Sequence, residues 1–368
     1  MVTIRDVAEL AGVSIATVSR VLSKSDYPVS HDTRQKIINA AKELGYSVNR
    51  AAQSLRTDRS SVIGVILENF TSLWGPLIIR GLQDVLHRNG YFCLVVNIPW
   101  EIHSQAKVVQ ELLGHSVDGF VFVESWHHVS ESRAMLSGKP YTIVHRLFHQ
   151  TDVNSVIPDE IYNTTLVVNH LIKMRHQRIG YISGPDKYFS SRERLIGYLQ
   201  TLESMGLSVD KTLIRSGRWL IPDGYRIAQE FMALSKPPTA IVAANDLMAY
   251  GAILAIQHQG LRVPDDIAVV GYDNDEVANL SNPTITTVSL PLFEMGQVAA
   301  TNLMNQMNDG AVPFEEMRIK GELMVRQSCG APEGKNILAA NYIRNSTVEQ
   351  FDGRDQAVQT GESPWIEP

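Results

Sequence analysis

Cysteine is almost missing from this chain: Cys93 and Cys329 are the only two in 368 residues. Both lie in apolar runs, so no disulfide framework is expected, as in a reducing compartment. No apolar run approaches the roughly 18 residues that a membrane span requires. Arg5 and Asp6 interrupt any leader-like apolar stretch at the N-terminus, so the expectation is a cytoplasmic chain. Phosphate-cradling patterns are missing too: there is no Gly-x-Gly-x-x-Gly, no P-loop and no Gly-x-Ser-x-Gly. Gly184-Pro185 lacks the glycine spacing of a dinucleotide site. His127-His128 has no third ligand at metal-like spacing. No metal, cofactor or nucleophile-base pair is therefore expected, which counts against an enzyme.

What is present is an ordinary globular composition, 44% hydrophobic and 20% charged, long enough for two or three domains. The net charge of −6 is unevenly spread. Residues 1–60 carry nine Lys/Arg against six Asp/Glu, and the remainder carries 24 against 33. A basic end on an acidic body fits a small nucleic-acid module joined to something larger.

Residues 3–22 read as two short helices with a tight corner. Thr3 can cap the first, with Asp6 adding negative charge at its positive end. Ile4, Val7, Ala8 and Ala11 share one face. Gly12 stands where the chain must turn, and Ser14 can cap a second helix whose Val18, Val21 and Leu22 face back. Its other face carries Ile15, Ala16, Thr17, Ser19 and Arg20, groups suited to a DNA major groove. The alternative is an ordinary surface hairpin, disfavoured because corner, caps and polar face agree. Ser30 then caps a third helix with Ile37, Ala41 and Leu44 on one face and Ile38 beside them, and Gly45 ends it. Asn49 can cap a short segment holding Ala51, Ala52 and Leu55, too short to be stable alone in water.

From Ser61 the period changes to apolar runs alternating with amphipathic helices. Strands are read at 62–67, 92–96, 119–123, 141–144, 178–182, 212–215, 240–244, 267–271, 286–289 and 319–325. Helices are read near 77–89, 103–113, 159–174, 191–204, 224–234, 247–259 and 292–308. This rhythm predicts parallel sheets covered by helices, with ligands at the carboxyl ends of strands. Residues 331–368 differ: three basic and six acidic residues among scattered apolar ones, read as a polar C-terminal tail.

Residues 3–57 resemble the head and hinge of the LacI/GalR (lactose-repressor/galactose-repressor) family of bacterial transcription regulators. The matching pieces are Asp6-Val7-Ala8, Ala11-Gly12-Val13-Ser14, residues 16–22, Leu44-Gly45-Tyr46, Asn49 and Ser54-Leu55-Arg56. The resemblance continues over residues 61–330. It implies an α/β chain: an all-α helix-turn-helix head at 1–46, a hinge helix and linker at 47–60, and a periplasmic-binding-protein-like body at 61–330. The body would comprise two doubly wound parallel-sheet subdomains, about 61–159 with 290–320 and about 160–289 with 321–330, joined by crossovers near 158–161, 287–292 and 319–323. A ligand crevice would separate them. No leucine-heptad helix of the tetrameric members is seen after Pro332.

The resemblance also implies site residues. The DNA-binding set would be Thr3, Ser14, Ile15, Ala16, Thr17, Ser19, Arg20, Asn49, Ala52 and Leu55, the last wedged into a minor-groove base step. Val48 and Gln53 stand where the family has proline and arginine, leaving the hinge less preorganised. The effector-binding set would be Trp74, Arg146, Arg194, Trp219, Asn245 and Asp273. An arginine fork with a carboxylate suits vicinal diols, and an indole face suits a sugar ring. His145 is the alternative to Arg146. Core packing is the alternative for each Trp, and structural contacts for Arg194 and Asp273. The function so implied is a repressor, working as a homodimer on a near-palindromic operator and controlled by a sugar-like effector. A nucleoside or purine effector is the alternative on the same scaffold. The rivals are an enzyme on a Rossmann-like body and a plain sugar-binding module, which would not need residues 1–57.

Overall fold

The computed structural model describes residues 2–22, 28–47, 59–67, 74–98, 102–123, 136–145, 154–309 and 316–331. The chain divides into two compact units. The first comprises Met1–Asn163, Asp186–Ile196 and Leu290–Gly321; the second comprises Thr164–Pro185, Gly197–Ser289 and Glu322–Pro368.

The first unit begins with three helices, α1 (Ile4–Ala11), α2 (Ile15–Leu22) and α3 (His31–Glu43). Their core is Val7, Ala8, Val18, Val21, Ile37, Ala40 and Ala41, edged by Ile4, Leu22, Leu44 and Tyr46. Gly12 takes φ 66°, the left-handed region that glycine enters at no steric cost;. The corner is closed by the Val13 N–H donating to Ala8 O at 3.0 Å. At the head of α1, Thr3 and Asp6 form a capping box;. The Thr3 hydroxyl and N–H both donate to Asp6 Oδ2, at 2.9 and 2.8 Å. That sharing holds the Asp6 carboxyl below its ordinary pKa. Ile38 turns outward, 44% exposed, one position off the face that α3 buries.

The rest of this unit is a parallel six-stranded sheet, ordered β11-β5-β4-β3-β1-β2. Its strands are β1 (Val62–Leu67), β2 (Phe92–Asn97), β3 (Gly119–Val123), β4 (Tyr141–Val144), β5 (Ser155–Pro158) and β11 (Glu316–Ile319). Central β3 is wholly buried, whereas edge strand β2 alternates and leaves Phe92 and Leu94 exposed. Helices α4 (Gly75–Arg88), α5 (Ile102–Gly114) and α11 (Leu292–Asp309) belong to the same unit. α4 and α11 meet backbone to backbone. A Cβ on Gly81 would stand 2.0 Å from Phe293 O, and one on Gly296 would stand 2.2 Å from Ile78 O.

The second unit holds a parallel sheet ordered β7-β6-β8-β9 and an antiparallel pair β10-β12. The strands are β6 (Ile179–Ser183), β7 (Ile214–Ser216), β8 (Ala240–Ala243), β9 (Ala268–Val270), β10 (Thr287–Ser289) and β12 (Glu322–Met324). Its helices include α8 (Ile221–Met232), α9 (Asp246–His258) and α10 (Glu276–Leu280). Helix α6 (Glu160–Lys173) and helix α7 (Phe189–Ser204) each begin in residues of the first unit and end in the second.

Two strand readings need correction. The run read as one strand at 319–325 is two: β11 pairs in parallel with β5, and β12 pairs antiparallel with β10. They break at Lys320-Gly321, because a strand-like stretch does not name its pairing partner. β5 was not expected at all; four residues ending in Pro158 are too short to show a period;. The two cysteines are unbonded, as expected: Cys329 is buried and Cys93 half-buried, its thiol pushed up to about 11 by burial. Among the described residues no helix is long and apolar enough to cross a membrane.

Candidate functional site

In the head, burial separates the two faces of α2. Val18 and Val21 are buried, while Ser14, Ile15, Ala16 and Arg20 are exposed and Thr17 and Ser19 half-buried. Ser14 Oγ accepts from the Thr17 N–H at 3.1 Å and lies 2.8 Å from Thr17 Oγ1. Both hydroxyls therefore serve the cap, which fixes the pitch at which Ile15, Ala16 and Arg20 are presented. Thr3 is also exposed. Asn49, Ala52 and Leu55, with Val48 and Gln53, lie outside the described residues.

In the first unit, Trp74 meets His145, His145 feels the charge of Arg194, and Arg194 is paired with a residue that the sequence did not flag, Glu160. Arg194 and Glu160 are each 3% exposed at the side chain. Arg194 Nε donates to Glu160 Oε2 at 2.9 Å and Nη2 donates to Oε1 at 3.0 Å, a two-point ion pair;. That edge of Arg194, expected to meet hydroxyls of a ligand, is thus occupied by a carboxylate of its own unit. His145 follows β4, is 4% exposed, and adopts φ 57°. Its ring meets Trp74 edge to face at 4.9 Å. Burial first, and the Arg194 charge second, hold the imidazole neutral, with a pKa lowered to about 3. Among the described residues its buried Nδ1 has no hydrogen-bond partner. Arg146, the preferred candidate of the pair, lies outside the described residues, as do Trp100, Trp126, His127 and His128.

In the second unit, the candidates stand directly after strands β7, β8 and β9, at their carboxyl ends;. Trp219 takes φ 71° and lays its ring over Gly184 at the end of β6, where a Cβ would come within 2.1 Å of Cζ2. Asn245 is spent on structure at both ends: Oδ1 accepts from the Met248 N–H at 2.9 Å to cap α9, and Nδ2 donates to Trp219 O at 3.1 Å. Its contribution is to seat Trp219. Asp273, half-buried, takes φ 100° and donates its N–H to Val288 O at 3.0 Å. An aspartate in that region is an outlier of the kind that collects at functional sites. Behind it lie buried Asp246 and Arg326. Burial first, and the Asp273 charge second, raise the Asp246 carboxyl well above its ordinary range. Among the described residues no group of three or more His, Cys, Asp or Glu could hold a metal.

Residues 3–49 match the family described as bacterial regulatory proteins, lacI family, and residues 168–329 match a periplasmic binding protein-like domain. The HTH-type transcriptional regulator RegA of Clostridium saccharobutylicum is 33% identical over 331 residues, 89% of this chain and 98% of that protein. The chain belongs to the LacI family. A second relative, the HTH-type transcriptional repressor CytR of Escherichia coli, is 30% identical over 333 residues, 89% of this chain and 96% of that protein. Among solved structures, the Lac repressor dimer bound to operator and the anti-inducer ONPF matches with TM-score 0.76 and 31% identity, covering 90% of this chain and 99% of that one. The complex of transcriptional regulator CelR with cellobiose matches with TM-score 0.65 and 30% identity, covering 89% and 100%. These relatives are regulators rather than enzymes.

Against that family frame, three residues of the polar clusters were missed by sequence reasoning: Glu160, Asp246 and Arg326. Asp246 was visible as part of Asn245-Asp246, but spacing did not separate a buried carboxyl from a cap. Glu160 follows the strand that was not read, and Arg326 follows β12, which was merged with β11.

Proposed function

We propose that this LacI-family chain is a homodimeric, sequence-specific DNA-binding repressor whose affinity for a near-palindromic operator is set by a sugar or sugar derivative. The observation that carries the reading is the division of α2. Val18 and Val21 are locked into the head core while Ile15, Ala16 and Arg20 stand exposed beside a cap. A helix so held lies in a major groove with its N-terminal residues toward the base edges, and two heads on a twofold axis require two inverted half-sites. The names of RegA and CytR, and the operator-bound dimer among the structural neighbours, support it.

In this reading the domain limits are a head at 1–46, a hinge at 47–60, a body at 61–330 and a tail beyond. Leu55 is the minor-groove wedge. The effector engages Asp273 and Trp219, with Trp74 and Arg146 as further contacts, while Arg194 acts through its ion pair with Glu160 rather than by touching the ligand. Asn245 contributes by seating the indole. A carboxylate acceptor and an aromatic face each suit a ring bearing adjacent hydroxyls, and the CelR–cellobiose neighbour supports a sugar. Effector and operator are linked through the hinge. A coupling of about 1–3 kcal/mol gives a switch of roughly 5–150-fold, and the effect is reciprocal.

The test is selection from a random duplex pool by the full chain, followed by binding of the recovered sequence to a chain lacking residues 1–57. Recovery of an inverted repeat, lost on truncation, is the expected result. Specific binding by the truncated body overturns the division of labour. A thermal-shift screen with sugars, sugar phosphates and nucleosides then names the effector class. A ligand at about 100 times its Kd stabilises the folded state by about 2.7 kcal/mol.

A further inference from the structure

The turn that carries Asp273 is held from two directions by buried charged groups. Asp273 and Asn274 are consecutive residues with φ of 100° and 57°. Such residues persist only where the surroundings over-determine them. On one side Asp246, 1% exposed at the start of α9, accepts from the Asp275 N–H through Oδ2 at 2.8 Å. Its Oδ1 fills the space beside Gly271, where a Cβ would stand 2.1 Å away. On the other side Arg326, 8% exposed, donates from Nη2 to Asn274 Oδ1 at 2.7 Å and from Nη1 to Ile285 O at 2.8 Å. Its own N–H is tied to Thr286 Oγ1 at 2.8 Å. Neither side chain is exposed enough to meet a ligand.

We infer that Asp246 and Arg326 are positioning residues: by gripping Asp275 and Asn274 they keep the turn left-handed and set the direction of the Asp273 carboxylate. This rests on the reading above, in which Asp273 contacts the effector. Burial first, and the Asp273 charge second, push the Asp246 carboxyl well above its ordinary range, and Arg326 opposes that shift. A fixed acceptor outside and a bound anchor inside are what preorganised recognition requires.

The full chain is examined as wild type and as Asp246→Ala, Asp246→Asn, Asn274→Gly and Asp273→Asn. Asn274→Gly is the variant that keeps folding out of question, because glycine accepts the same φ while removing the acceptor for Arg326. Amide hydrogen exchange is read at Asp273 and Asp275, cellobiose and D-ribose binding by calorimetry, and operator affinity without sugar. Asp246→Ala and Asn274→Gly are expected to speed exchange at the turn and to weaken sugar binding about tenfold, the effect of misdirecting one charged hydrogen bond. Asp246→Asn, which retains the acceptor for Asp275, stays near wild type in both, and sugar-free operator affinity is unchanged throughout. Unchanged exchange in both Asp246→Ala and Asn274→Gly overturns the positioning role. Sugar binding that survives Asp273→Asn, or wild type that takes up neither sugar, overturns the effector reading instead, and the exchange measurement still decides the positioning role.

Discussion

In the first unit a buried arginine meets a buried glutamate edge to edge, and burial with the arginine's charge keeps a nearby histidine neutral. In the second, Asp246 and Asp273 crowd near one arginine, and the backbone of Asp273 and Asn274 is twisted into the left-handed region. The first cluster is matched in charge and shape; the second is held against repulsion and strain. Removing either partner from the first breaks a buried two-point ion pair. Loosening the second lets a strained turn relax. The first therefore reads as scaffold, and the second as the place where strain is kept for recognition.

The largest expected effect tests the scaffold half of that contrast. Glu160→Ala takes the two-point carboxylate away from the buried Arg194 guanidinium and should cost about 3–5 kcal/mol, read by denaturant unfolding;. A loss below about 1 kcal/mol, the worth of an exposed pair, would erase the difference between the clusters. Next in size, Asp273→Ala should weaken effector binding about 10- to 100-fold in calorimetry while leaving operator affinity intact, since a hydrogen bond to a charged group is worth about 1.5–3 kcal/mol. An unaltered effector response would move recognition away from this turn.

The pH dependence of stability separates the clusters by sign. His145 has a folded pKa of about 3 against an ordinary 6.5. Between those values the unfolded chain takes up a proton that the folded chain refuses. Stability from this group is therefore lost as pH falls below about 6.5, at about 1.4 kcal/mol per pH unit. His145→Gln should flatten that limb of the curve. Asp246 runs the other way: its raised folded pKa makes its contribution full below the ordinary 3.8 and lost as pH rises;. Asp246→Asn should remove that second slope. Two slopes of the same sign in urea titrations across pH would refute the contrast. The smallest effect is in the head, where Ser14→Ala should cost about 1 kcal/mol of thermal stability by leaving the Thr17 N–H uncapped;. No change in Tm would show that the cap does not set the pitch of α2.

The head was legible almost residue by residue, because its signals are local. Gly12, Ser14 and Ser30 act within a few residues of where they stand, and the apolar period of α1 and α2 names the buried side chains directly. The strands of the body were legible wherever an apolar run was five residues or longer. Site chemistry was legible only in outline. Arg194 and Asn245 were singled out as polar groups near strand ends, yet both are engaged by neighbours that no local pattern announces: Glu160 is 34 positions from Arg194, and Trp219 is 26 positions from Asn245.

The sequence by itself determined the helix-turn-helix corner, the alternation of strand and helix and the family of the chain, since these rest on caps, periods and motifs that act at short range. Tertiary structure alone decided which charges are buried, whom they face and which carboxylate keeps its proton. Burial and Coulomb interaction depend on distances through space, and chain order does not contain those distances until the sheets have formed.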